Sequence, residues 1–438
     1  MEIFVKIAQL LLSLSILVIA HELGHFGFAR LFRIRVEKFY LFFNPWFSLF
    51  KRRIGNTEYG VGWLPLGGYV KISGMIDESM DMEQMAQPAQ PWEFRSKPAW
   101  QRFLVMIGGV AVNFFLALFI YSMVLLAWGE KYLPTSALTY GISCDSLALS
   151  TGLQHGDKIV SIEGNPVEDF SKLSLEIVLN QADFLEIERN GEIQRISIHP
   201  DVIPALLKKS YFVEPRIPFV IHSIPKGSEA EQYGLTAGDQ LLEINGETAF
   251  FTEEATHLLS ENKGQKVHLT LLRNQEKLQV EAQVSETGKL GVMLENYTHF
   301  LETKTLRYNF FSAFPAGIEK GIRIAKDYLK QFKLLVRPET KAYESMGGFI
   351  TIGNIFPGIW NWQAFWNLTA FLSIILAIMN ILPIPALDGG HILFLTYEIV
   401  TGRKPSDKFL EYAQMVGLAL LFALLLYANG NDILKLFR

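Results

Sequence analysis

A single cysteine, Cys144, is all the thiol chemistry these 438 residues carry. That excludes an internal disulfide and any cysteine-rich zinc module, and it leaves Cys144 as a small packed side chain. Charge is scarce as well. Only 19% of residues are charged, where soluble enzymes carry about a quarter, so the balance leans towards a membrane protein. Neither sign dominates: 40 Lys and Arg against 44 Asp and Glu leave a net charge of −4, which disfavours a basic surface for nucleic acid. What the chain has in excess is apolar surface, at 50% of its residues.

That excess is concentrated. Residues 3–20, 103–128, 365–384 and 413–428 form four apolar stretches, and a helix needs about 20 such residues to cross a bilayer. The first lacks the basic start and small-residue cleavage site of a secretory signal and is expected to be retained. Between the first two stretches lie Arg30, Arg33, Arg35, Lys38, Lys51, Arg52, Arg53, Lys71, Arg95, Lys97 and Arg102, and between the last two Arg403, Lys404 and Lys408. Such density marks the cytoplasmic side. Residues 129–360 and both termini then fall outside the cytoplasm, although Lys435 and Arg438 run against this. Trp360, Trp362 and Trp366 sit where the third stretch meets water, as an aromatic belt does.

The external segment repeats itself. Gly152-Leu153-Gln154-His155-Gly156-Asp157 matches Gly234-Leu235-Thr236-Ala237-Gly238-Asp239, and each copy runs on into an aliphatic strand and a turn, at Gly164-Asn165 and Asn245-Gly246. This spacing suits two copies of a small domain rather than a solenoid. The pattern resembles the loop-then-strand signature of PDZ domains. A peptide groove of the second copy is expected to begin at Arg216-Ile217-Pro218-Phe219, where Pro218 lacks an N–H for a carboxylate. Further on, Phe314, Ile318, Ile322, Ala325, Leu329, Phe332 and Val336 recur at helical spacing with Lys320, Arg323, Lys326, Lys330 and Lys333 between them. Two readings stay open there, a helix in the membrane interface and a surface helix packed on a domain.

The chemistry lies at the inner end of the first stretch. His21-Glu22-Leu23-Gly24-His25 is an HExxH motif, whose histidines share one helix face and can reach one Zn²⁺. Burying two His and a Glu at the end of a membrane span is costly, which marks them as functional. A catalytic zinc takes three protein ligands and keeps one position for water. The third ligand should come from another span at similar depth, and the candidate is Asp388 in Asn380-Ile381-Leu382-Pro383-Ile384-Pro385-Ala386-Leu387-Asp388-Gly389-Gly390-His391. His391 has suitable chemistry too but reads as a polar residue just beyond the turn. Gly67 to Ile72, with Gly60, Gly62 and Gly74 around them, predict a hairpin whose edge can take an extended peptide.

The motifs His21–His25 and Asn380-x-x-Pro383-x-Pro385-x-Leu387-Asp388-Gly389-Gly390 resemble those of the site-2 intramembrane metalloproteases. Leu66-Gly67-Gly68-Tyr69-Val70-Lys71 and Gly109-Val110-Ala111-Val112-Asn113 extend the likeness, and the two PDZ-like copies narrow it to the bacterial RseP type. The resemblance implies that His21, His25 and Asp388 hold one zinc ion and that Glu22 is the catalytic acid and base. Gly67, Gly68, Tyr69, Val70, Lys71, Asn380, Pro383 and Pro385 would hold substrate. It implies an inner-membrane protease with its site towards the cytoplasm. Its substrates would be transmembrane segments of single-span proteins, such as anti-sigma factors already trimmed by a site-1 protease and remnant signal peptides. The PDZ-like pair, on the periplasmic side, then either filters substrates by size or recruits them.

The expected architecture is a polytopic α-helical membrane protein of four spans, with two PDZ-like α/β domains inserted between the second and third. In order these are a first span with HExxH (1–30), a cytoplasmic loop with a membrane-associated hairpin (31–102), a second span (103–128), PDZ-like domains (129–208 and 209–300), an amphipathic region (301–361), a third span (362–390), a cytoplasmic loop (391–411) and a fourth span with the C-terminus (412–438). The rival expectation is an inactive membrane scaffold that binds transmembrane segments. An intact Glu22 argues against it, since a structural zinc site has no need of a base.

Overall fold

The structure, a computed structural model, describes the chain apart from residues 76–86, 209–211, 336, 338, 339, 341 and 438. It divides into two compact units, one of residues 1–129, 307–336 and 343–438 and the other of 130–306 and 337–342.

The helices of the first unit are α1 (Glu2–Leu31), α2 (Ala99–Trp128), α3 (Phe310–Leu335), α4 (Phe349–Ile355), α5 (Trp362–Ile381), α6 (Asp388–Thr401) and α7 (Asp407–Leu436). Among the described residues four are long and apolar enough to cross a membrane: α1, α2, α5 and the Lys408–Lys435 stretch of α7. They fall on the four apolar stretches of the sequence. α5 stops at Ile381 because Leu382 precedes a proline, which disfavours helical backbone, and it adopts an extended conformation (φ −58°, ψ 140°). Buried polar contacts tie the spans. Thr369 Oγ1 of α5 donates to Ser13 Oγ of α1 at 3.0 Å, and Ser373 Oγ donates to the Asn113 carbonyl of α2 at 2.7 Å. Between apolar helices such bonds and small residues supply the association that hydrophobicity cannot.

The amphipathic segment forms α3, which packs on the span α2. A Cβ on Gly317 would lie 2.3 Å from Ser122 Oγ and one on Gly321 2.3 Å from Leu118 Cδ2, so α3 lies tightly on the span α2 through its small residues. Ile318, Ile322 and Leu329 stay exposed on its other side. Val336, at the end of the expected stripe, lies outside the described residues.

The loop between α1 and α2 differs from expectation. Two long bent strands, β1 (Val36–Ile54) and β2 (Thr57–Ile72), fold onto each other so that Phe39 pairs with both Val70 and Tyr59. Residues 38–41 therefore lie between 58–61 and 68–71, and 50–54 close the other side of 57–61. The partner of the Gly68–Ile72 segment is 36–41, not the Gly60–Gly62 end of a short hairpin. The aromatic stretch Phe42–Phe47 belongs to β1 and bends it, with left-handed backbone at Phe42 (φ 66°) and Trp46 (φ 70°).

In the second unit the sequence repeat becomes a structural one. Strands Asn165–Pro166, Lys158–Ile162, Phe184–Arg189 and Glu192–Ser197 form an antiparallel sheet in that spatial order, with a helix at Leu173–Asn180. Glu247–Thr248, Gln240–Ile244, Lys266–Arg273 and Glu276–Gln283 repeat it, with a helix at Thr252–Glu261. The Gly-Asp of each copy has one job. Asp157 and Asp239 accept from the backbone N–H three residues before, at 2.8 Å, and each is gripped by an arginine two strands on, Arg189 and Arg273, at 2.7 Å. The segment Arg216–Phe219, where a groove was expected to begin, is tied to residues 250–254. Phe219 N–H donates to the Phe250 carbonyl and Thr252 N–H to the Ile217 carbonyl, while Arg216 binds Glu253 and Glu254.

Candidate active site

His21 and His25 lie on consecutive turns of α1, where the helix lies tightly against α2. A Cβ on Gly24 would lie 2.3 Å from the Gly108 carbonyl oxygen, so the two backbones touch there. Side chains flanking Gly24 are thereby pressed against α2. The His25 Nδ1–H donates to the Val105 carbonyl at 2.9 Å, which fixes the ring and leaves the Nε2 lone pair directed away from that bond. Gly109, one residue on from Gly108, makes room for both rings.

Asp388 arrives from the far end of the chain. Between Leu382 and Leu387 the backbone is non-helical and Ala386 is left-handed (φ 80°). This turn brings α6 back with Asp388 as its first residue. A Cβ on Gly417 of α7 would lie 1.7 Å from the Pro385 carbonyl oxygen, so α7 braces the turn from behind. Irregular backbone at this depth is tolerated where protein covers it or it lines a cavity.

The three side chains meet at one point. His21 Nε2 lies 3.1 Å from His25 Nε2 and 3.1 Å from Asp388 Oδ2, and His25 Nε2 lies 3.4 Å from Asp388 Oδ2. Donors about 2.0–2.1 Å from a tetrahedral zinc stand about 3.3–3.4 Å apart, so this triangle has the size of one face of such a site. The Asp388 Oδ2 is buried without a hydrogen bond. Lone pairs converging in a buried pocket repel unless a cation lies among them, and two imidazoles with one carboxylate are a donor set that zinc accepts. The residues present fit a zinc ion.

Around the triangle opens a cavity of about 500 Å³ lined by Val18, Glu22, Gly67, Gly68, Tyr69, Val70, Lys71, Ile72, Met106, Asn380, His391 and Gln414, among others. The expected residues Glu22, Gly67–Lys71 and Asn380 thus share one wall system with the triangle. Asn380 Nδ2 lies 3.5 Å from His21 Nε2, and the Val70 N–H faces the Glu22 carboxylate. No other described strand pairs with the far side of the Gly68–Ile72 segment. Pro383 and Pro385 lie in the turn that carries Asp388 and are not among the residues that line this cavity. His391 does line it but is not part of the three-donor cluster. Sequence reasoning missed Gly24, Gly108, Val105 and Gln414. The one available signal was the pair of glycines in the middle of an apolar span.

Comparison with known proteins agrees with this architecture. The profile of peptidase family M50 matches residues 9–424. The chain is 28% identical to the regulator of sigma E protease of Haemophilus influenzae, over 98% of this chain and 99% of that one. It is 27% identical to protease RseP of Yersinia pestis over the full length of both. A Treponema pallidum protein named provisionally as a zinc metalloprotease is 28% identical over 99% of this chain and all of its own. A helical, membrane-type metallopeptidase is the class that fold and site define. The chain belongs to peptidase family M50; it is a metalloendopeptidase, and its metal is zinc.

Proposed function

We propose that the chain is a site-2 protease of the bacterial inner membrane, cleaving peptide bonds within or beside the transmembrane segments of single-span proteins. The observation that carries this reading is the His21–His25–Asp388 triangle at the bottom of a cavity walled by the end strand of β2. His21, His25 and Asp388 hold the zinc. When bound, zinc activates water at neutral pH and polarises the scissile carbonyl.

The chain's own residues do the rest. Glu22, one residue from His21 on the same cavity wall, takes the proton of the attacking water and delivers it to the leaving amine. A helical substrate hides its peptide bonds in internal hydrogen bonds, so it must be drawn out. The Gly68–Ile72 segment takes the extended chain as an added strand, and Asn380 adds side-chain hydrogen bonds beside His21. The density of Lys and Arg in residues 30–102 and 403–408 supports a site facing the cytoplasm, which puts the second unit in the periplasm. Its two like-folded modules are PDZ-like domains acting as a size filter. They exclude partners with bulky external domains until an upstream site-1 protease has trimmed them. The names of the Haemophilus and Yersinia relatives favour anti-sigma factors as substrates, with remnant signal peptides as a second group.

The test is cleavage of single-span peptides by purified protein in detergent or nanodiscs, with zinc measured alongside. Wild type is expected to cleave, and Glu22→Gln to keep its zinc while losing at least about a thousandfold in kcat. Undiminished cleavage by Glu22→Gln sinks the assignment.

A further inference from the structure

Much of the fourth span, α7, is exposed, but not at Gln414. Tyr412, Met415, Val416 and Leu418 are exposed, as lipid-facing residues are, but Gln414 is 93% buried (7% exposed). Gln414 and Gly417 are three residues apart and share a helix face, and the contact of Gly417 with the Pro385 carbonyl turns that face onto the turn before Asp388. The Gln414 side chain lines the cavity around the metal triangle. It also lines a second recess of about 70 Å³ that continues past His391 towards the Arg102–Glu398 ion pair. Its carboxamide has no hydrogen-bond partner among the described residues, and what surface it keeps opens into these two spaces. Its polar atoms are not sealed off, so the amide is free to bond what enters these spaces.

We propose that Gln414 is a substrate-binding residue: its carboxamide hydrogen-bonds the backbone of the extended chain held in the cavity, where the main space passes into the second recess. This rests on the reading of that cavity as the peptide site. A carboxamide offers an acceptor and two donors, which matches the C=O and N–H of one residue in an extended chain. A strand docked on a sheet edge pairs only half its backbone groups with that edge. The other half need partners, and Gln414 supplies them at one residue, from α7. The second recess then receives the stretch of substrate next to that residue.

The experiment measures binding apart from turnover. In the Glu22→Gln background, which holds but does not cut, a fluorescent single-span peptide is titrated with and without Gln414→Met, which keeps length and volume and removes the amide. A lost hydrogen bond of this kind weakens binding about tenfold. The expected result is that rise in Kd at unchanged zinc content, with kcat/KM in the Glu22 protein falling about tenfold, mainly through KM. Peptides carrying one backbone ester in turn provide a signature that a merely structural role does not produce. At one position the ester loss and the Gln414→Met loss should not add. Should the Met protein fail to assemble, Gln414→Asn, which withdraws the amide by one methylene, is judged on the same criteria. Binding that ignores Gln414, or losses that add at every ester position, overturns this proposal alone. No peptide binding by any variant overturns the reading of the cavity and takes this proposal with it.

Discussion

Gly109→Ala is the smallest change that tests whether the two imidazoles act together. The added Cβ would lie 2.4 Å from His25 Nε2, 2.8 Å from His21 Cε1 and 2.9 Å from His21 Nδ1. Relaxed contacts need about 3.5 Å, so the His25 nitrogen must retreat by about 1 Å. It cannot swing away cheaply, since its Nδ1–H is bonded to the Val105 carbonyl of the same helix that carries the new methyl. The triangle has sides of 3.1–3.4 Å. A shift of a third of a side takes one donor out of range of an ion held by the other two. Displacements of about 1 Å at a reacting centre cost on the order of a hundredfold. The variant is therefore expected to lose most of its zinc on dialysis, measured by elemental analysis, and at least about a hundredfold in kcat/KM. Gly27→Ala, on the same helix as the histidines, meets nothing within 4 Å and is the control that should change neither. A Gly109→Ala protein with full zinc and undiminished cleavage would show that the rings adapt freely and that the triangle does not define the site.

Two further outcomes follow from the second wall of the cavity and from the external modules. Val70→Pro deletes the N–H that faces Glu22 and should slow cleavage about tenfold or more with zinc retained; equal turnover counts against strand docking. In the second module, burial by itself raises the pKa of Asp239, but hydrogen bonds from Arg273 and from Thr236 outweigh it and hold the carboxyl below its ordinary value. A carboxyl depressed on folding contributes stability above its unfolded pKa of about 3.9 and loses it as pH falls below that. Thermal unfolding followed from pH 7 to pH 3 should therefore show the unit weakening at the acid end. Asp239→Asn should cost about 2 kcal/mol at neutral pH, towards the low end for such a pair because Arg273 is 30% exposed, and should flatten that acid loss. A slope unaltered in Asp239→Asn would mean another group carries it.

The four spans were legible because membrane crossing leaves a signal in composition alone: about 20 apolar residues in a row are enough. α5 ends at Ile381, short of the expected 384, because Pro383 restricts Leu382 by local sterics that no tertiary contact has to supply. The repeat was readable for a similar reason. Its Gly-Asp turn is a local device, with Asp157 and Asp239 each capping a backbone N–H three residues away. The arginines that clamp them stand 32 and 34 residues further on and nothing in the motif announced them.

What the sequence hid was everything decided by close approach between distant segments. β1 carries no alternating pattern: Phe39 to Phe43 is apolar without a break, and the pairing of 38–41 with both 58–61 and 68–71 joins segments that no local pattern connects. Gly24, Gly108 and Gly417 look like ordinary glycines in apolar helices, and only the neighbouring backbone shows why a methyl is too much. The same holds for the metal triangle. Spacing set His21 and His25 on one face, whereas the distance from either to Asp388 depends on where a six-residue turn rests against α7. That dependence gives α7 a part in the chemistry although it contributes no donor to the triangle. The same helix braces the turn at Pro385 and presents Gln414 to the cavity.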